Sequence, residues 1–243
     1  ETMKLFTNGS IYIDAVNKVD NLLIANGAVQ AYNINPSKFR NLEIIDLAGA
    51  TLYPGFNDSH VHLFETGAFF MPSSVNMTKC FDSASMAAEI SKRIKELPAG
   101  KLILGVGFSL RDYDRWNLED LKKIDDASGG TPVFLGDKLG HNVAVNSAAM
   151  KLCAITPQTK APMGGKIGVE NEKLTGMFRE SAMTLVGNPL FAVIDKELLK
   201  QGAQMLFNRW AAMGYTAVVD LMGSAGGRVI RPEILRELEA EGK

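Results

Sequence analysis

His60 and His62, two of the three histidines in the 243-residue chain, fall in the run Pro54-Gly55-Phe56-Asn57-Asp58-Ser59-His60-Val61-His62-Leu63. Alternate residues of a strand face one side at a rise of about 3.3 Å per residue, so Asp58, His60 and His62 share a face, successive members about 6.6 Å apart. Two imidazoles so placed can converge on one cation. Neutral imidazole is a common metal ligand, and its second ring nitrogen needs a partner to fix the tautomer. Asp58 can be that partner; a structural hydrogen bond inside the strand is the competing reading. A bare His-x-His is common and often marks packed or surface histidines. Here the Pro54-Gly55 break and an acid on the same face are poorly explained by core packing, and the histidines fall where the strand should end. Strand ends are where barrel enzymes keep their chemistry.

Further residues could add to such a site. His141, between Gly140 and Asn142, reads as a third metal ligand, a substrate contact or a hydrogen-bonded turn residue. Asp220 ends a β-branched run at the strand end where a barrel keeps its chemistry, as a site-lining residue or a turn cap. Arg179 and Glu180 read as the opening of a helix, where an acid favours the dipole and a capping role leads over catalysis. The glycine runs Gly105-Val106-Gly107 and Gly223 to Gly227 lack the spacing of a phosphate-binding loop, and no nucleotide cofactor is expected.

The elements that position these residues follow from hydrophobic period and turn chemistry. Apolar runs at Ile11 to Ile13, Leu22 to Ala25, Ala28 to Tyr32 and Glu43 to Leu47 predict a small β-sandwich segment, with Asn26-Gly27 as a two-residue hairpin. After the histidine strand, Met86, Ile90, Ile94 and Leu97 recur at helical spacing behind Ser83 and stop before Pro98-Ala99-Gly100. Leu102 to Val106 and Val133 to Leu135 read as buried strands, Ser147 to Leu152 as a helix with Asn146 near its cap, and 156–168 as a Pro/Gly-rich loop. A long helix through Leu198, Leu206 and Met213 ends at Gly214, Thr216 to Asp220 supplies a strand, and Pro232 opens a last helix. About 130 residues separate the histidine strand from this helix and strand, where ordinary barrel loops take about 2 to 6. The excess predicts a large insertion over the mouth of the site.

Composition excludes several function classes. A formal net charge of −1, with scattered basic residues, offers no field for nucleic acid or an anionic membrane. Cys80 and Cys153 form no paired-ligand spacing and read as reduced thiols or packing residues. No apolar stretch approaches the roughly 20 residues of a membrane helix and no secretion signal is visible, so no membrane partner and a cytoplasmic location are expected. Glu1-Thr2 ahead of Met3 is set aside from fold reasoning as a remnant.

The stretch Leu52 to Leu63 resembles the first barrel strand of the amidohydrolase superfamily of metal-dependent hydrolases. Phe6-Thr7-Asn8-Gly9-Ser10-Ile11-Tyr12, Ile45-Asp46-Leu47-Ala48-Gly49, Gly140-His141-Asn142, Asn146-Ser147-Ala148-Ala149, Thr175-Gly176-Met177-Phe178-Arg179-Glu180 and Gly214-Tyr215-Thr216-Ala217-Val218-Val219-Asp220 are similar to the branch of N-substituted formamide deformylases and exoenzyme-regulatory-like proteins. Asn57 departs from it, standing where the family usually has an apolar residue.

The resemblance implies an α/β chain: an incomplete TIM-type (β/α)8 barrel portion with an N-terminal β-sandwich segment and a large α/β insertion after the first barrel strand. The expected division is 1–53 sandwich, 54–63 first barrel strand, 64–195 insertion and 196–243 continuing barrel. It further implies a divalent metal, Zn foremost, as one or two ions on His60 and His62; the residue readings above place Asp58 behind them and His141 and Asp220 toward a small-molecule substrate. The implied reaction is hydrolysis of a non-peptide amide or N-formyl bond by metal-activated water. The superfamily's bridging lysine or glutamate, two further histidines and aspartate base find no match, and only about two of eight strand units can be placed. The expectation is therefore the N-terminal part of a longer enzyme, a possible homo-oligomer, which as an isolated chain is inactive and is poorly soluble, self-associates or requires a partner chain that completes the barrel and sandwich. A non-catalytic regulatory or metal-binding fragment is the alternative.

Overall fold

The computed structural model describes residues 3–71, 73–96, 102–220 and 232–242. Contacts divide it into one unit of residues up to Asn57 with Gly214–Ala217, and a second of Asp58–Met213 with Val218–Lys243.

The first unit is built from short strands punctuated by left-handed turns. They are β1 (Met3–Thr7), β2 (Ser10–Tyr12), β3 (Lys18–Val19), β4 (Leu22–Ala25), β5 (Ala28–Tyr32), β6 (Leu42–Asp46) and β7 (Thr51–Leu52). Asn26 and Gly27, at φ 55° and 70°, close the β4–β5 hairpin as the Asn-Gly pair predicts. One sheet has the order β5-β4-β1-β6 and another β3-β2-β7. Ile11, Val19 and Leu22 are buried together, with Phe6, Ile24 and Leu52 packed against them, so the two sheets share a small core.

The strand β8 (Phe56–Val61) pairs with β15 (Tyr215–Asp220) in a two-stranded sheet. Gly55 permits the close start of this pairing, since a Cβ there would lie 2.2 Å from the Thr216 side chain. Gly214, at φ 90°, turns the chain from helix into β15. Among the described residues no further strand joins this pair, and no closed barrel is present.

Between them run α1 (Leu63–Ala68), β9 (Ser74–Asn76), α2 (Ser83–Arg93), β10 (Ile103–Phe108), α3 (Leu118–Ser128), β11 (Val133–Asp137), β12 (Asn142–Val145), α4 (Ser147–Leu152), β13 (Lys166–Glu170), β14 (Lys173–Arg179), α5 (Thr184–Ala192) and α6 (Lys196–Ala212); α7 (Pro232–Ala240) follows β15. The six-stranded sheet has the order β13-β14-β12-β11-β10-β9, parallel across β9, β10 and β11 and antiparallel beyond. Strand alternation divides its side chains between two cores. Ile103, Val133, Leu135, Ala144 and Met177 pack with Met86 and Ile90 of α2 and Ile124 of α3. Leu104, Phe134, Val143, Val145 and Phe178 pack with Leu63 and Phe64 of α1, Val186 and Leu190 of α5, and Leu199 and Ala203 of α6. The strands expected near 102–106 and 133–135 thus belong to this sheet and do not pair with β8 or β15. Ile234 and Leu238 of α7 enter the second core too, so the segment expected as an insertion shares its interior with the flanking helices.

Several local expectations shift. The N-cap of α2 is Asp82, which accepts from the Ser85 N–H, while the Ser83 hydroxyl donates to Asp120 at 2.5 Å. The loop predicted over 156–168 ends sooner, because Lys166–Glu170 pairs with β14. Arg179 and Glu180 do not open an α-helix: Arg179 ends β14 and Glu180 begins a 3-10 turn over Glu180–Met183. Leu97, the Pro98-Ala99-Gly100 stop and the Gly223 to Gly227 run lie outside the described residues. Among the described residues no helix is long and apolar enough to cross a membrane.

Candidate metal site and the adjoining pocket

His60 occupies the penultimate position of β8, and His62 lies just beyond it as the N-cap residue of α1, at φ −123° and ψ 84°. The ring centroids are 5.2 Å apart with their planes at 87°. Imidazole nitrogens sit about 2.0–2.1 Å from zinc, so two rings on one tetrahedral ion have centroids about 5 Å apart. The observed separation matches that spacing. Among the described residues no group of three or more His, Cys, Asp and Glu converges as a metal cluster. These two residues would contribute part of a coordination sphere.

The Asp58 carboxylate accepts the backbone N–H of His60 at 3.1 Å, the hydrogen bond within the strand that competed with a contact to the ring. Asp220, at the end of β15, accepts the N–H of Leu63 at 3.3 Å. That carboxylate satisfies one of the free donors at the start of α1, directly after His62, and complements the helix dipole. Asp220 is thus brought to the His62 end of β8.

α1 is also packed closely against α6. A Cβ on Gly202 would lie 2.2 Å from the Gly67 carbonyl oxygen, so the helices meet backbone to backbone. Glycine to alanine inside a helix ordinarily stabilises by up to about 1 kcal/mol. Here the clash is with main chain that cannot rotate away, and it decides the sign: Gly202→Ala should destabilise by about 1–3 kcal/mol, read as a lower denaturant midpoint at unchanged slope. An unchanged or raised midpoint would mean that α1 is not held this tightly.

His62 also lines a pocket of about 550 Å³. Its polar lining includes Thr66, Lys138, His141, Glu180 and Ser181, and its apolar walls include Phe69, Phe134, Val143, Met183 and Phe191. Phe134 and Phe191 meet edge to face at 5.3 Å, giving the wall a rigid aromatic corner. Asp58, His60 and Asp220 are not among the lining residues. The structure therefore brings His62 and His141 to one cavity although they lie far apart in sequence.

His141 stands on the turn between β11 and β12. Its Nδ1 is 3.1 Å from Glu180 Oε2, and that hydrogen bond, followed by the carboxylate's charge, raises the imidazole above its ordinary pKa. The turn is fastened by Asp137, only 3% exposed. Its carboxylate accepts from the N–H of His141 and of Asn142, from Asn142 Nδ2 and from the Tyr113 hydroxyl. Burial, then the Asp137 charge, pushes Tyr113 up to about 12. The neutral phenol is therefore favoured in the fold, and the stability it contributes is complete below about pH 10 and lost as pH rises toward about 12. A tyrosine with this raised pKa is expected in a spectrophotometric alkaline titration, and Tyr113→Phe should remove it.

Sequence reasoning set a capping role ahead of catalysis for Glu180 and passed over Lys138. Glu180 comes to His141 across 39 residues through the β12–β14 pairing, which no local spacing signals. Its one sequence-level mark is a place in the stretch Thr175 to Glu180 that resembled the family.

The model of the amidohydrolase family matches residues 43–243, and the chain belongs to that family. It is 29% identical over 207 residues to the N-substituted formamide deformylase of Arthrobacter pascens, covering 83% of this chain and 37% of that protein. It is 26% identical over 201 residues to the exoenzymes regulatory protein AepA of Pectobacterium carotovorum, covering 76% of this chain and 41% of the relative. Among solved structures it resembles an uncharacterized metal-dependent hydrolase from Pyrococcus furiosus, with a TM-score of 0.66 at 24% identity, over 99% of this chain and 48% of the other. That likeness concerns the fold alone. The chain spans less than half the length of each of these relatives.

Proposed function

We propose that the protein carrying this chain is a metal-dependent hydrolase of a carbon–nitrogen bond, an amide or N-formyl group on a small molecule. The observation that carries this reading is the His60 and His62 pair, spaced for one ion, with His62 on the wall of a pocket large enough for such a substrate. A divalent ion of the zinc type, as one ion or two, supplies a water acidified to about pKa 7 and polarises the scissile carbonyl. The residues of this chain do the rest of what it contributes. His60 and His62 hold the ion, Asp58 fixes the backbone of His60, and Asp220 anchors the start of α1 beside His62. Phe69, Phe134 and Phe191 exclude water from the apolar part of the substrate, and His141 meets its polar part.

The name of the Arthrobacter pascens relative is the support for the N-formyl class. The whole protein, purified with zinc and again after chelation, should hydrolyse N-formyl or N-acyl amines only in the loaded form. Equal turnover in both forms would contradict the metal's role. Absence of turnover across the panel would remove the proposed bond class.

A further inference from the structure

Glu180 grips His141 twice. Its carboxylate meets Nδ1 at 3.1 Å and its backbone N–H donates to the His141 carbonyl at 3.0 Å. To do so it adopts φ 51°, a left-handed conformation that long side chains seldom take and that persists where surroundings impose it. Stability is a poor reason for this arrangement, because the His141 and Glu180 side chains are 62% and 57% exposed and an ion pair so wetted adds little. From beneath, buried Asp137 accepts the His141 N–H at 2.9 Å and clamps the same turn. The imidazole is therefore fixed by its own backbone and by one ring nitrogen, at the edge of the cavity that His62 also lines. Rings are immobilised at this expense where they must meet a ligand in one orientation.

We propose that Glu180 is a positioning residue: by occupying Nδ1 it presents Nε2–H of His141 to an oxygen of the bound substrate, so that the two residues form the arm that orients substrate against the metal face of the pocket. The proposal rests on the hydrolase reading, which supplies the substrate, and it assigns a role to a residue with no part in metal binding. The proton on Nε2 is present when His141 is charged. Glu180 favours that state, as does Asp137 beneath the turn; Lys138 and His62 are the other titratable groups lining the cavity. Substrate binding should therefore weaken as pH rises through the pKa of His141, and loss of the Glu180 charge should bring that weakening to lower pH.

The test is kcat and KM of the zinc-loaded whole protein for an N-alkyl formamide between about pH 5.5 and 9, in wild type, Glu180→Gln, Glu180→Asp and His141→Ala, with the His141 ring followed by NMR. Glu180→Gln should raise KM about tenfold with kcat within about threefold, and shift the alkaline limb of kcat/KM to lower pH together with the ring titration. Glu180→Asp should recover part of both effects. His141→Ala should show the same KM defect, and Glu180→Gln added to it should change nothing more. An unmoved KM and limb in Glu180→Gln, or independent additive effects of the two substitutions, would overturn the proposal. Should the wild type hydrolyse no amide, the hydrolase reading fails separately and the ring signal decides. A His141 resonance shifted by N-hexylformamide in the wild type and not in Glu180→Gln upholds the arm; a resonance indifferent to that probe in both removes it.

Discussion

His60→Ala and His62→Ala, each in the whole protein, are expected to lower turnover by about a thousandfold or more and to reduce tightly bound metal to background. The size follows from what the ion does. Without it the attacking water returns from a pKa of about 7 toward that of bulk water, and the scissile carbonyl loses its polarisation. The fold should survive the change, because His60 is exposed at the end of β8 and the apolar residue between the two histidines, Val61, carries the packing at 8% exposure. Circular dichroism and the unfolding midpoint should therefore remain near wild type while metal analysis falls. A variant that keeps stoichiometric metal, or loses activity only in proportion to lost folded protein, would remove these two residues from the site.

Asn146→Ala should be the most damaging single truncation for stability, by about 3–5 kcal/mol. Asn146 is wholly buried, and each atom of its amide is in use. Oδ1 accepts from Val133 N and Ala149 N, both at 2.9 Å, joining the start of β11 to the cap of α4. Nδ2 donates to Ser128 Oγ at 2.9 Å and to the Thr131 carbonyl at 2.8 Å. Alanine would leave several buried donors and acceptors unmade, each at about 1–3 kcal/mol less any relief from water. The Asn146 ties close the far end of the β11–β12 hairpin, whose tip carries His141. A chemical denaturation series gives the value; a loss below about 1 kcal/mol would mean that water enters and replaces the amide.

The features legible in the sequence were those decided by a few adjacent residues. Asn26-Gly27 dictated a hairpin because both positions need positive φ, Asn146 announced a cap, Gly214 ended a helix, and Pro232 stands at the first position of α7. The histidine spacing was legible as well, but β8 ends at Val61, so the approach of the two rings depends on the strand-to-helix junction at His62 and not on strand parity alone. What could not be read depends on partners distant in the chain. Glu180 looked like a helix-opening acid because nothing near it reveals that β14 lies beside β12. Asp220 left lining and capping equally open until Leu63, 157 residues away, proved to be its donor. β13 was hidden in a Pro/Gly-rich stretch whose pairing with β14 outweighs its weak strand propensity.

The most direct measurement of the central claim is anomalous X-ray diffraction from crystals of the whole protein grown with zinc, collected on both sides of the zinc absorption edge. An anomalous peak about 2.0–2.1 Å from a ring nitrogen of His60 and of His62, facing the pocket that contains His141, is the predicted result. Full zinc occupancy at other residues, with neither His60 nor His62 within bonding distance, would contradict it.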